Sequence, residues 1–237
     1  TAETFHLLRV EIKKLNALFQ LLKYSSKKFK ANKTIKPFKL IFKQAGKVRE
    51  LQIEESLLKK HFSFNLVKNY RNHLKQLRLK EQDYFFSITN DAFIKGLKKK
   101  YKLIFPLLTK INYKQATHYM LAKKTKIEKI LHQDTLETKQ AHKLRKALKE
   151  YQYNEKSLTL HSPNKSIPNK TILPILLGKW HDYQVIIKNI KNSIDSGEIN
   201  PTESNQLENI KATLILKREM LFNKINAALP ILDFFDQ

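Results

Sequence analysis

Two eight-residue stretches of the chain carry the same side chains in the same order. "HLLRVEIK" (6–13) and "HKLRKALK" (142–149) both read H-x-L-R-x-x-(I/L)-K. On a helix turning about 100° per residue, the 0, 3, 7 spacing sets His6, Arg9 and Lys13 along one stripe and His142, Arg145 and Lys149 along another. Such a stripe is suited to holding an anion. Arg offers a planar fork that matches the oxygens of a phosphate, and Lys adds a mobile point charge. Histidine donates from either ring nitrogen and gains charge as pH falls towards its ordinary pKa of about 6.5. Neighbouring cations oppose that protonation, so anion binding and proton uptake should be coupled.

A second pair of stretches follows the first. "GKVRELQI" (46–53) and "GKWHDYQV" (178–185) share G-K-x-(R/H)-(E/D)-x-Q-(I/V). The separations are 40 residues (6 to 46) and 36 residues (142 to 178), and the two motifs take two of only four glycines. Two matches in the same order at similar spacing point to a duplicated four-helix unit within a single domain over 1–237, with repeats at approximately 1–133 and 134–237. The second motif adds Lys47, Arg49, Lys179 and His181. Upstream of it, Lys39 and Lys43 stand one turn apart on a shared helix face. Lys14 extends the first run but lies about 80° round the helix from His6. Glu50 and Asp182 each follow the basic residue of their motif, placed either to orient nearby cations or to form an ordinary salt bridge. Most lysines of an amphipathic helix simply face solvent. That rule leaves unexplained why His, Arg and Lys recur in one register in two halves that otherwise differ.

The elements that must position these residues read as helices. Glycine and proline are scarce, at four and seven in 237 residues, and apolar residues recur mostly at spacings of three and four. The pattern predicts an all-α protein with helices near 2–30, 36–60, 63–81, 84–111, 114–132, 135–153, 168–194 and 201–229. Leu8, Ile12, Leu15, Phe19 and Leu22 fall on one arc of the first helix, its expected core face, well separated from the basic stripe. The last helix has the clearest start: Asn200 as N-cap, Pro201 in the first position and Glu203 reaching back as in a capping box. Residues 153–167, rich in Ser, Asn and Pro, read as a long loop.

Composition bounds the partners. With 46 Lys+Arg against 21 Asp+Glu the formal net charge is +25, and 41% hydrophobic residues suffice for a packed core. A field of this sign calls for a polyanion: nucleic acid, a chain of phosphates or an anionic membrane surface. The longest apolar runs, such as "ILPILL" (172–177), fall far short of the ~20 residues of a membrane-spanning helix. The absence of cysteine excludes disulfides and thiolate metal sites and fits a reducing compartment. No signal peptide is visible, and the expected location is cytoplasmic.

At these motifs the chain resembles the CHAD family, the conserved histidine α-helical domain. The family's first helix runs H-x-x-R-V-x-x-R/K-R/K-L-R, and "HLLRVEIKKLN" follows it from His6 through Leu15. The family's G-x-x-R-D is matched by "GKVRE" (46–50), and "HKLRKALKEYQY" keeps His142, Leu144, Arg145 and Lys149 of the second repeat. The resemblance spans nearly the whole chain. It implies two antiparallel four-helix bundles related by a pseudo-twofold axis, with the basic stripes facing a shared groove that binds inorganic polyphosphate, and a location that includes polyphosphate granules. The ligand residues it implies are His6, Arg9, Lys13, Lys14, Arg49, His142, Arg145 and Lys149. Lys39, Lys43 and His181 join them from the residue reading. Asn16, Glu150 and His181 depart from the family pattern, so the second half is less basic and the site is expected to be lopsided. The E-x-E-x-K mark of the triphosphate-tunnel enzymes fused to many family members does not occur.

Three functions compete. Polyphosphate binding needs only a groove of Arg, Lys and His. Nucleic-acid binding would use the same charge with stacking by some of the 14 Phe and 9 Tyr, but most of these fall at core spacings and no nucleic-acid-binding signature appears. Phosphoanhydride chemistry would need carboxylates clustered on Mg²⁺ or a Gly-rich phosphate loop, and the acids are scattered. The expectation is therefore a binding protein with no catalytic residues, no metal site and no cofactor. Membrane-surface attraction would follow from charge alone.

Overall fold

The computed structural model describes residues 2–26, 28–109, 111–159, 172–197 and 199–229. Among these residues there are eight α-helices and no strand: α1 (Ala2–Ser25), α2 (Ala31–His61), α3 (Lys68–Ile88), α4 (Asp91–Leu108), α5 (Tyr113–Leu131), α6 (Thr138–Thr159), α7 (Ile172–Asp195) and α8 (Pro201–Ala228). A 3-10 turn, Phe64–Val67, leads into α3. None of the helices is long and apolar enough to cross a membrane.

The boundaries that moved did so for reasons of packing. α2 starts five residues before the expected position 36, despite Pro37 near its beginning, because Ala31 and Ile35 are core residues packed with Phe19 and Leu22 of α1. The α3–α4 boundary lies at 88–91, where the Asn90 side chain accepts a hydrogen bond from Phe93 N at 3.0 Å and caps α4. α6 runs through Thr159, into the stretch expected to be a loop, because Asn154 is buried and donates to the Ala17 carbonyl of α1 at 3.2 Å while Leu158 packs on Leu21 and Tyr119. The remainder of that expected loop lies outside the described residues.

At the start of α8, Asn200 accepts from Glu203 N at 2.8 Å and Pro201 opens the helix, as expected. Glu203 does not reach back. Its carboxylate crosses to α3, whose own N-cap residue Val67 offers no side-chain bond, and accepts from Asn69 N at 2.8 Å and Tyr70 N at 2.9 Å. A carboxylate at a helix N-terminus meets both orphan donors and the positive end of the helix dipole.

Four helices form a closed central ring. α1 packs on α2, α2 on α7, α7 on α6, and α6 back on α1; α3 lies on α2, α8 on α7, and α5 on α6 and α1. The two H-x-L-R helices, α1 and α6, are therefore neighbours, as are α2 and α7 with the second motif. Apolar burial fixes this arrangement. One core is shared by α1, α2, α3 and α4 around Phe5, Ile12, Ala45, Val48 and Phe85. Another is shared by α5, α6, α7 and α8 around Ile127, Leu144, Leu148, Leu177 and Trp180. A third joins α2 and α3 to α7 and α8 through Leu58, Tyr70, Ile186, Leu207, Ile210 and Leu214.

Candidate functional site

The seam between α1 and α6 brings together the motif cations of both halves. Arg9 is half-buried, and its Nη1 donates to the carbonyl of Phe42 on α2 at 2.8 Å. Its guanidinium also lies over the Phe42 ring, 4.2 Å from the centroid, and Lys13 Nζ lies 5.9 Å from the same ring. Gly46, one turn after Phe42, is what admits the guanidinium: a Cβ at that position would fall on Arg9 Nη1. The glycine of the first GK motif is thus a seat for the arginine of the first HxLR motif.

The second half lacks this clamp. The position equivalent to Phe42 is Pro174, and Gly178, the equivalent of Gly46, has open space around a notional Cβ. Arg145 is half-buried, with a buried Nε that has no hydrogen-bond partner. A buried donor of this kind costs free energy until something accepts from it.

Electrostatics tie the cations into one cluster. Burial pushes Arg9 below its usual pKa; Glu50 opposes this, while Arg145 and Arg49 add to it. Lys13 is lowered to about 8, first by burial, then by Arg145, Arg9 and Lys149, with Asp182 acting the other way. Burial followed by Arg145 lowers Lys149. Arg145 is lowered by burial, against the pull of Asp182 and the Tyr153 hydroxyl. Two carboxylates, Glu50 from α2 and Asp182 from α7, thus act on a set of five cations: Arg9, Lys13, Arg49, Arg145 and Lys149. Positive charge is being desolvated without full neutralisation, an arrangement that an incoming anion relieves.

The histidines divide. His142 is packed against Trp180, with ring centroids 4.8 Å apart, and stands edge-on to His181 at 5.3 Å. Burial, then His181, lowers its pKa, against a hydrogen bond with Gln184 and with further lowering by Arg145 and Lys146. His181 Nδ1 lies 3.9 Å from Asp182 Oδ1. His142 and His181 therefore border the cluster. His6 is exposed near the start of α1, and none of these interactions includes it.

The remaining sequence-predicted cations lie further out. Lys14 is paired with Glu11 on its own helix at 2.7 Å. Lys39 and Lys43 are exposed on α2. Lys47 is bound to Glu81 of α3 at 3.2 Å, and Lys179 is exposed. Glu150, which stands where the family has a second Lys, accepts from Tyr119 at 2.5 Å and pairs with Lys123 at 2.7 Å, tying α6 to α5. Sequence reasoning missed Phe42 and Tyr153. A usable signal existed for the first: Phe42 and Gly46 stand four apart on α2, a large ring beside a vacant Cβ position. Nothing in the sequence pairs Tyr153 with Arg145. Among the described residues no group of three or more His, Asp or Glu lies close enough to hold a metal ion.

Chemically, the arrangement offers guanidinium forks and ammonium groups from two helices to one anionic ligand, with protons taken up as the ligand neutralises the cluster. Comparisons of the chain with family models, with curated proteins and with solved structures find no match in any of the three.

Proposed function

We propose that the chain is a non-enzymatic module that binds inorganic polyphosphate at the α1–α6 seam, in the manner that its resemblance to the CHAD family implies. The observation that carries this reading is the meeting of Arg9 and Lys13 from the first repeat with Arg145 and Lys149 from the second, with Arg145 Nε unpaired. A linear phosphate chain has closely spaced oxygens and no bases, so it needs many cationic partners and no stacking platform. The architecture that goes with this reading is a pair of four-helix units, α1–α4 and α5–α8, each with an apolar core, which sets the division before α5 and not near residue 133 as the repeats suggest. In the second unit the fourth helix, α5, precedes the motif helices instead of following them.

Calorimetric titration with long-chain polyphosphate at two salt concentrations tests the proposal, with duplex DNA as control. Arg9→Ala with Arg145→Ala is expected to weaken polyphosphate binding by at least two orders of magnitude, since each charge-assisted hydrogen bond to phosphate is worth roughly 1.5–3 kcal/mol. Lys98→Ala with Lys100→Ala, outside the motifs, is expected to lower it only modestly. Equal losses would mean diffuse charge and no site. Displacement of polyphosphate by nucleic acid at low concentration would favour a nucleic-acid-binding protein instead.

A further inference from the structure

α4 carries none of the motif residues, yet it sets a broad exposed apolar surface beside a concentration of positive charge. Its buried side is made by Phe93, Leu97 and Ile104, which pack into the cores shared with α1 and α2. Next to that side runs a second apolar stripe. Tyr101 and Phe105 follow Ile94 by 7 and 11 residues, each within about 20° of it in helical projection. Ile94, Tyr101 and Phe105 are 41%, 58% and 55% exposed, and the rings of Tyr101 and Phe105 lie against each other at 5.9 Å. Phe86, close to the α3–α4 turn at the Ile94 end of the helix, is 64% exposed.

Lysines line the outer flank of the stripe. Lys98, Lys102 and Lys95 follow at about 40°, 80° and 100° from Ile94, and all three are exposed. α4 holds five lysines in all, no arginine and one acid, Asp91, in its first turn.

We propose that this face of α4 docks the protein on an anionic membrane surface, with Ile94, Tyr101 and Phe105 entering the headgroup–acyl boundary and the lysines meeting anionic headgroups. A helix with an aromatic and aliphatic stripe beside a lysine flank is the form that lies in the plane of such an interface. Lysine stems run along apolar surface while their ammonium groups reach the phosphates. Two features favour a bilayer over single-stranded nucleic acid. The stripe includes an aliphatic residue, Ile94, which offers no ring for a base to stack on. The absence of Arg also suits a diffuse charged surface better than discrete phosphates recognised by a two-pronged fork. The association is peripheral and adds a second polyanion surface to the one at the α1–α6 seam.

The full chain with Tyr101→Trp provides the test, because the only native tryptophan, Trp180, is buried and stacked on Phe222, and gives a constant background. Vesicles of phosphatidylcholine with about 30% phosphatidylserine should shift the new emission to the blue and make it quenchable by acyl-chain spin labels, while phosphatidylcholine alone should not. In sedimentation with the same vesicles, Tyr101→Ser with Phe105→Ser should lower partitioning by roughly tenfold or more. Each of Lys95→Gln, Lys98→Gln and Lys102→Gln should lower it about fivefold. Arg9→Ala with Arg145→Ala should leave it nearly unchanged, so failure here and failure of polyphosphate binding are separable. Unshifted emission, undiminished partitioning of the Ser variant, or equal dependence on Arg9 and Arg145 would overturn the proposal. So would single-stranded RNA producing the same blue shift, which would assign the face to nucleic acid.

Discussion

The two motif glycines look equivalent in the sequence and are not equivalent in the structure. Both sit in helices, where Gly costs up to about 1 kcal/mol relative to Ala. Gly178→Ala meets open space and is expected to raise stability by roughly 0.5–1 kcal/mol with polyanion affinity unchanged. Gly46→Ala places its Cβ on the end of the Arg9 side chain, a flexible group that can swing aside. The fold should therefore survive, while the guanidinium leaves the Phe42 carbonyl and ring. Affinity for polyphosphate should fall by about an order of magnitude, because the fork is no longer held in place by its charge-assisted hydrogen bond and its cation–π partner. Urea unfolding and calorimetric titration on the two variants check both halves; equal effects at Gly46 and Gly178 would sink the distinction. The candidate site was legible in the sequence to the extent that its groups repeat. Arg9, Lys13, Arg145 and Lys149 share a register, and the structure places them in one cluster. Phe42 and Tyr153 have no counterpart in the repeat, so periodicity could not single them out. His6, which has one, is exposed.

At the scale of elements, helix type and number were readable because scarce Gly and Pro leave the three-and-four spacing uninterrupted over long stretches. Ends were less readable, because what extends or stops a helix here is a partner distant in sequence. Ala31 and Ile35 draw α2 past Pro37, and Asn154 holds α6 helical by bonding to Ala17. Glu203 is the sharpest case. Its spacing from Asn200 is that of a capping box, but the carboxylate serves α3, more than 130 residues away in sequence. Glu203 is buried, so water is poorly placed to take over its role. Glu203→Ala is thus expected to strand two backbone donors at the start of α3 and cost about 2–4 kcal/mol. Asn200→Ala, the loss of an ordinary N-cap, should cost about 1 kcal/mol. Denaturant midpoints of the two variants measure the difference, and a smaller loss for Glu203→Ala would mean that the cross-helix bonds are dispensable.

Across the whole molecule, a buried carboxyl group and a half-buried lysine each contribute a dependence of stability on pH. Glu54 on α2 accepts from Tyr70 of α3 at 2.5 Å and from Asn189 of α7 at 3.0 Å, joining three helices of the central packing. Burial, first among its causes, raises its pKa to about 7 against an ordinary 4.5, with Glu55 adding to the rise and the two hydrogen bonds opposing it. Between those values the folded state binds more protons than the unfolded chain, so stability falls as pH climbs from 4.5 to 7. Lys13 runs the other way. It titrates at about 8 when folded and at an ordinary 10.5 when unfolded, so the unfolded chain binds more protons in that window and stability rises with pH across it. The two contributions leave a trough between pH 7 and 8. Differences between variants isolate each limb, because all other titrating groups cancel. Relative to Glu54→Gln, the wild type should lose about 3 kcal/mol as pH rises from 4.5 through 7. Relative to Lys13→Met, the wild type should gain from pH 8 to 10. Saturating polyphosphate should abolish that gain, since a bound anion restores the ordinary affinity of Lys13 for its proton. A polyanion that stabilised the protein equally at pH 7 and pH 10 would show that it binds away from Lys13, through the diffuse field of the net charge of +25.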